Sequence, residues 1–423
     1  MTSTRVGLLD AVAAQVDEIR ASGGDSEPPV LSCAQGPSVI VDGDELINLA
    51  SNDYLGFAAD PVLVQAAAGA LSHYGVGSGA VRPIVGTMEI HRELERRLAA
   101  LKDAPDALLV PSGFTANSGT VGALLGKADA VVSDELNHAS IIDGCRLSGA
   151  KISVYRHADV ADAERALAAV GDARHVLLVT DGVFSMDGDI APLPDLVELA
   201  ERHGATVMVD DAHATGVLGD RGRGTVDHFG LKGRVPIQIG TLSKALGTVG
   251  GFVAALEPVI TYLRRRGRPY LFSTSQPPSI AAAGVAALDL LDADDGRVGR
   301  LRRSADRFRR GLQELGFDTG VSATPIVPVH VGDEARAVAL SAALRRRGVL
   351  AQAIVFPTVA AGRARVRAIV TAAHSDVQLD TALAAFAAAR PAPALAQAPD
   401  APGRSRSWEL FPAWGREKFP ACP

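Results

Sequence analysis

Ala107-Leu108-Leu109-Val110-Pro111-Ser112-Gly113-Phe114-Thr115-Ala116-Asn117 reads as a short buried strand that turns directly into the start of a helix. Four apolar residues in a row suit a strand covered on both faces, and a helix opens after it. The same unit recurs outward from here. Apolar runs at 130–133, 175–180, 206–209 and 237–240 read as further buried strands. Helical segments lie between or before them. Ile90, Leu94, Leu98 and Leu101 share one face of 89–101, and Leu193, Val197 and Ala200 share one face of 192–203. Repeated strand–helix–strand units predict an α/β fold with a large, mostly parallel sheet covered on both sides. Ligands of such a sheet bind beyond the carboxyl ends of its strands.

Past about residue 290 the rhythm changes. A charged helix over 298–315 leads to strands near 326–331, 349–354 and 365–371, which predicts a smaller C-terminal α/β domain. The expected division is an N-terminal segment (1–50), a large domain (51–290), a small domain (291–390) and a tail (391–423). The tail is Ala/Pro-rich over 390–407, a composition that resists core packing. Both tryptophans of the chain, Trp408 and Trp414, follow with Leu410, Phe411 and Phe419. It reads either as a docking element or as a disordered end. No tandem repeat is present.

The 423 residues are 47% hydrophobic and 21% charged, ordinary for a globular protein, and the net charge of -6 argues against nucleic acid or an anionic membrane as partner. The most apolar stretch, 281–291, is broken by Gly284 and Asp289 and is too short to span a bilayer. Residues 1–20 carry Asp10, Asp17 and Glu18 and lack the apolar core of a signal peptide. Cys33, Cys145 and Cys422 stand at unrelated spacings, which predicts neither a disulfide framework nor a metal site, and a reducing cytoplasm is the expected compartment.

Five segments could carry chemistry. Thr241-Leu242-Ser243-Lys244 follows a strand, where a lysine can form a Schiff base with an aldehyde cofactor and neighbouring hydroxyls can hold a phosphate. A surface loop lysine is the plain alternative. Val209-Asp210-Asp211-Ala212-His213 puts carboxylates where a buried strand emerges; these could face a pyridine nitrogen or simply cap a helix. Asp with His is also a metal pair, but no third ligand lies at a recognisable spacing. Ser112 and the helix start after it could cradle a phosphate. His138, in Asn137-His138-Ala139-Ser140, could stack on a planar cofactor or serve as a cap. Arg363, Arg365 and Arg367 lie on a strand edge, and Arg365 and Arg367 share a face, either solvated or holding a carboxylate.

Taken together, the chain resembles the α-oxoamine synthase family of fold-type I pyridoxal-phosphate (PLP) enzymes. The matching segments are Ser51-Asn52-Asp53-Tyr54-Leu55-Gly56, Gly113-Phe114-Thr115-Ala116-Asn117, Asn137-His138-Ala139-Ser140, residues 181–188, Val209-Asp210-Asp211-Ala212-His213, Thr241-Leu242-Ser243-Lys244 and Thr371-Ala372-Ala373-His374. Their order and spacing hold from about residue 45 to 390. The resemblance implies a seven-stranded-type large sheet, PLP as cofactor and a cytoplasmic homodimer with shared active sites. It implies that Lys244 carries the cofactor and moves protons, Asp210 faces the ring nitrogen, His213 and Ser185 lie near the phenolic oxygen, and His138 stacks on the ring. Ser112, Gly113, Phe114 and Thr241 would hold the phosphate, with Ser273 or Thr274 reaching in from a second subunit. Asn52 and Arg367 would hold the amino-acid carboxylate.

The activity so implied is condensation of an amino acid with an acyl-CoA. Residues 79–82, 86–87, 226–230 and 268–273 look most like the branch that joins glycine to acetyl-CoA and keeps the carboxylate. The alternative is decarboxylative condensation of alanine or serine with a longer acyl-CoA or acyl-carrier thioester. An acyl carrier is then one candidate partner for the tail.

Overall fold

Apolar residues alternate along the central strands, and folding sorts them onto two faces. Val131, Leu177, Val179, Met208 and Ile239 pack on one side with Ile141 and Cys145. Val132, Leu178, Val207 and Val209 pack on the other with Leu196, Val197 and Ala200. This period of two, with helices over both faces, is the geometry of a buried parallel sheet. Each such side chain, fully buried, contributes roughly 1.5–3 kcal/mol.

The computed structural model describes residues 7–21, 27–293 and 296–390. The expectations for the tail, including Trp408 and Trp414, lie outside the described residues. The strands are β1 (Ser38–Val41), β2 (Asp44–Asn48), β3 (Asp106–Val110), β4 (Ala130–Asp134), β5 (Lys151–Tyr155), β6 (Val176–Asp181), β7 (Thr206–Asp210), β8 (Ile237–Thr241), β9 (Gly251–Ala255), β10 (Ile326–Gly332), β11 (Val349–Leu350), β12 (Gln352–Ile354) and β13 (Ala364–Ile369). The large sheet has seven strands in the order β3-β9-β8-β7-β6-β4-β5. β9 alone runs antiparallel to its neighbours β3 and β8. The expected runs became β3, β4, β6, β7 and β8 to within a residue or so at each end. β5 and β9 were not expected. Lys151-Ile152-Ser153-Val154-Tyr155 is an edge strand with solvent on much of it, and Gly251-Phe252-Val253-Ala254-Ala255 opens on glycine and ends on small residues.

The small layer is an antiparallel sheet, β10-β13-β12, packed under helices Arg297–Glu314, Glu334–Arg345 and Asp376–Ala389. Two features depart from expectation. The N-terminal strands belong with this layer: β2 pairs with β11, and Leu49 packs among Phe308, Leu344 and Phe386. The run 349–354 is two strands, because the chain leaves β2 after Leu350 and joins β13 from Gln352, with Ala351 buried at the crossover. Among the described residues no helix is long and apolar enough to cross a membrane.

One buried ion pair fixes the loop after β7. The Lys102 ammonium donates to Asp211 Oδ2 and to the Arg223 carbonyl, each at 2.8 Å, and both charged side chains are fully buried. The Thr225 amide donates to the same carboxylate oxygen at 3.1 Å. Asp211 is therefore structural, whereas its neighbour Asp210 faces the other way. Lys102→Met is expected to destabilise the fold by about 3–5 kcal/mol, because it strands a buried carboxylate. Urea unfolding measures this, and a loss below about 1 kcal/mol, the scale of an exposed pair, would contradict it.

Candidate functional site

Every catalytic candidate lies just past the carboxyl end of a parallel strand: Ser112 after β3, His138 after β4, Ser185 after β6, Asp210 and His213 at and after β7, Lys244 after β8. The sheet topology alone brings together residues up to 132 positions apart in the sequence, from Ser112 to Lys244.

Lys244 sits in a tight turn. Thr241 Oγ1, at the end of β8, donates to the Gly250 carbonyl at 2.8 Å and accepts from the Ser243 amide at 3.2 Å. Gly247 has φ +66°, and a Cβ there would lie 2.6 Å from Phe57, so only glycine lets the turn close. Burial pushes the Lys244 ammonium below the usual lysine range; Asp210 and Asp181 oppose that, and Arg367 adds to it.

Asp210 ends β7, held by the Asn117 amide at 2.5 Å and the Ala212 backbone N–H at 2.8 Å. Asp181 lies beside it in register on β6. Burial, and then the charge on Asp210, raise the Asp181 carboxyl well above the carboxylate range. One of its oxygens accepts from the His138 amide at 3.1 Å, and the other has no partner among the described residues. Asp181 and Asn117 carry no local sequence signal of their own, since nothing in either segment reveals that two carboxylates meet across neighbouring strands.

His138 caps helix Ala139–Ser148, with Nδ1 accepting from the Ser140 amide at 3.2 Å and lying 2.7 Å from the Ser140 hydroxyl. Capping and a site position thus coincide. Its ring meets Phe114 edge-to-face, centroids 6.4 Å apart, and desolvation holds it below the ordinary histidine range. His213 is buried and bonds through Nδ1 to the Tyr54 hydroxyl at 2.7 Å. Desolvation, with the charges of Lys244 and Arg367, pushes His213 far down.

Helix Gly113–Leu124 begins beside Thr241. The Ser112 hydroxyl accepts from the Thr115 amide at 3.1 Å, and a Cβ on Gly113 would press on Thr241 Cβ at 3.2 Å. The amides of the first helical turn have no carbonyl partners within the helix, which suits an anion. Phe114 is exposed at the rim.

β13 delivers the arginines, and they separate. Arg365 is buried against Asp187 and the Met186 carbonyl, so it ties the two layers together. Arg367 donates to the Ser185 carbonyl at 3.0 Å; its buried Nε has no partner among the described residues, nor does Asn52 Oδ1. Ser185 is placed by this backbone contact. Arg363 lends its carbonyl to Arg365. His374 bonds to Thr371 and to the Asn48 carbonyl and is a packing residue. Ser273 and Thr274 lie on a separate segment whose Thr274 bridges Val81, with Thr274 exposed.

A half-buried lysine, a carboxylate anchored by two donors, and a helix start across from them are the donor set that PLP requires. The cradle beside Gly113 and the unpartnered atoms of Asn52 and Arg367 fit the phosphate end and a substrate carboxylate. Fold and site define a fold-type I PLP-dependent transferase. The chain belongs to the aminotransferase class I and II family, whose model matches residues 44–386. It is 55% identical over 383 residues to 8-amino-7-oxononanoate synthase of Symbiobacterium thermophilum, covering 90% of this chain and 98% of that one. It is 54% identical over 353 residues to 8-amino-7-oxononanoate synthase 1 of Bacillus subtilis, covering 84% and 90%. Among solved structures, serine palmitoyltransferase from S. paucimobilis with a bound PLP–myriocin aldimine superposes with TM-score 0.86 at 34% identity, covering 91% of this chain and 98% of that one. The chain is a PLP-dependent C-acyltransferase of the α-oxoamine synthase type.

These relatives favour the decarboxylating alternative over the glycine and acetyl-CoA reading. Several residues in the segments behind that reading have packing roles. Arg82 is buried against Glu95 and lies over the Tyr270 ring, Val226 is core, and Asp227 accepts from the Asp220 amide. Arg82, Val226 and Asp227 are scaffold, and scaffold is shared across substrates.

Proposed function

We propose that this enzyme joins alanine to a pimeloyl thioester with loss of carbon dioxide, the 8-amino-7-oxononanoate synthase reaction. The observation that carries this is 55% identity across nearly the whole of a relative of that name. When bound, PLP supplies an electron sink for the pair left at the amino acid's α-carbon. Lys244 would hold the cofactor and, as a free amine, would take the α-proton; burial favours its neutral, basic form. Asp210 holds the ring nitrogen protonated, its own position set by Asn117. His138 would stack on one face of the ring, and His213, with Ser185, would lie by its phenolic oxygen. Ser112, Gly113, Phe114 and Thr241 receive the phosphate. Arg367, braced by the Ser185 carbonyl, and Asn52 take the substrate carboxylate, a bidentate task suited to guanidinium.

The working unit on this reading is a homodimer, with Ser273 or Thr274 crossing between subunits to the phosphate. On this reading the chain works as an N-terminal segment to about residue 50, a large cofactor-binding domain to about 290 and a small C-terminal domain to about 390. The test is a matrix of glycine, alanine and serine against acetyl-, pimeloyl- and palmitoyl-CoA, following thiol release. Alanine with the pimeloyl donor is expected to give the highest kcat/KM. A clear preference for glycine with acetyl-CoA would overturn the assignment.

A further inference from the structure

Tyr54 is buried to 0% exposure in the segment before the large sheet, and its hydroxyl lies 2.7 Å from His213 Nδ1. The segment is rigid. Asp53 accepts from the Phe57 amide at 2.8 Å and the Ala58 amide at 3.2 Å, and the Tyr54 carbonyl accepts from Ala372 at 2.7 Å. A Cβ on Gly56, at φ +69°, would meet Ala373 at 2.8 Å. The hydroxyl is therefore delivered by backbone on both sides and cannot swing away.

We propose that Tyr54 is a positioning residue that fixes the tautomer of His213, leaving the proton on Nε2. This rests on the reading that His213 faces the cofactor's phenolic oxygen. A neutral imidazole carries one N–H, and the partner at the other nitrogen decides where it sits. The phenol is fully desolvated, and burial pushes it well above the ordinary phenol range, so it keeps its proton at neutral pH. That proton needs an acceptor, since stranding a buried donor costs about 1–3 kcal/mol. Among the described residues the bonded acceptor is His213 Nδ1. The reverse arrangement, Nδ1–H donating to the phenol oxygen, would strand the phenol proton and leave Nε2 bare. Burial, Lys244 and Arg367 all hold the ring neutral, so the choice of tautomer is not removed by protonation. Nε2–H is then a fixed hydrogen-bond donor into the site.

The test is nitrogen NMR of the full-length protein labelled with 15N-histidine, without and with PLP, the His213 signals being identified by their loss in His213→Gln. In the wild type Nε2 should carry the proton and Nδ1 should be bare, already without cofactor. Tyr54→Phe keeps the ring and removes the hydroxyl; the Nδ1–H form should then gain population. In the loaded enzyme kcat should fall roughly tenfold to a hundredfold with KM for the amino acid near wild type. A wild-type ring protonated on Nδ1, or a tautomer ratio unmoved by Tyr54→Phe, would overturn the proposal. If Tyr54→Phe does not fold, the wild-type spectrum decides alone. His213→Gln leaving the bound cofactor's absorption unchanged would sink the placement of His213 instead, a result separate from the tautomer.

Discussion

Lys244→Ala is expected to abolish turnover, with a loss on the order of 10⁴-fold or more, since one residue both holds the cofactor and moves the proton. The purified variant should also lose the visible absorption of lysine-bound PLP. The effect should be chemical and not a collapse of the site. Leu242, Ala245 and Leu246 around it are buried and hold the turn, and the Thr241 bonds to the Gly250 carbonyl and Ser243 do not involve the lysine side chain. Addition of free PLP should therefore leave binding measurable and activity absent. An active variant with an unchanged absorption band would mean that another lysine does the work. Lys102, committed to Asp211 and the Arg223 carbonyl, is not free for it.

Asp210→Asn should cost about 10²-fold or more in kcat while cofactor remains bound. The amide is nearly isosteric and can keep a bond to the Ala212 N–H, now 2.8 Å from Oδ1. It cannot hold a pyridine nitrogen in the protonated state. Losing the charge also removes the main reason, after burial, for the raised Asp181 carboxyl, so Asp181 becomes easier to ionise. Partial recovery through Asp181 would show as residual activity that rises with pH. Near-wild-type turnover at all pH values would remove Asp210 from the cofactor's ring nitrogen.

The strand–helix rhythm was legible because buried parallel strands leave continuous apolar runs; β3, β4, β6, β7 and β8 all have that signature. β5, partly solvated, and β9, small and glycine-led, lack it. The site was legible as a set of strand ends, which is where Lys244, Asp210 and His138 lie. What the sequence hid were contacts between distant segments. Asp181 becomes unusual only because β6 and β7 align it with Asp210. Tyr54 becomes informative only because its hydroxyl meets a ring 159 residues away. Arg365 and Arg367, alike on one strand face, part company because Asp187 waits for the first and the Ser185 carbonyl for the second. The glycine and acetyl-CoA reading leaned on motifs around Arg82 and Tyr270, whose side chains pack on one another.

The fate of the carboxylate tests the account most directly. With alanine labelled at the carboxyl carbon and a pimeloyl thioester as donor, the label should leave as carbon dioxide in step with thiol release, one for one, and the amino ketone should be unlabelled. Label retained in a β-keto amino acid product, or thiol release that needs glycine and an acetyl donor instead, would contradict the proposed decarboxylative condensation.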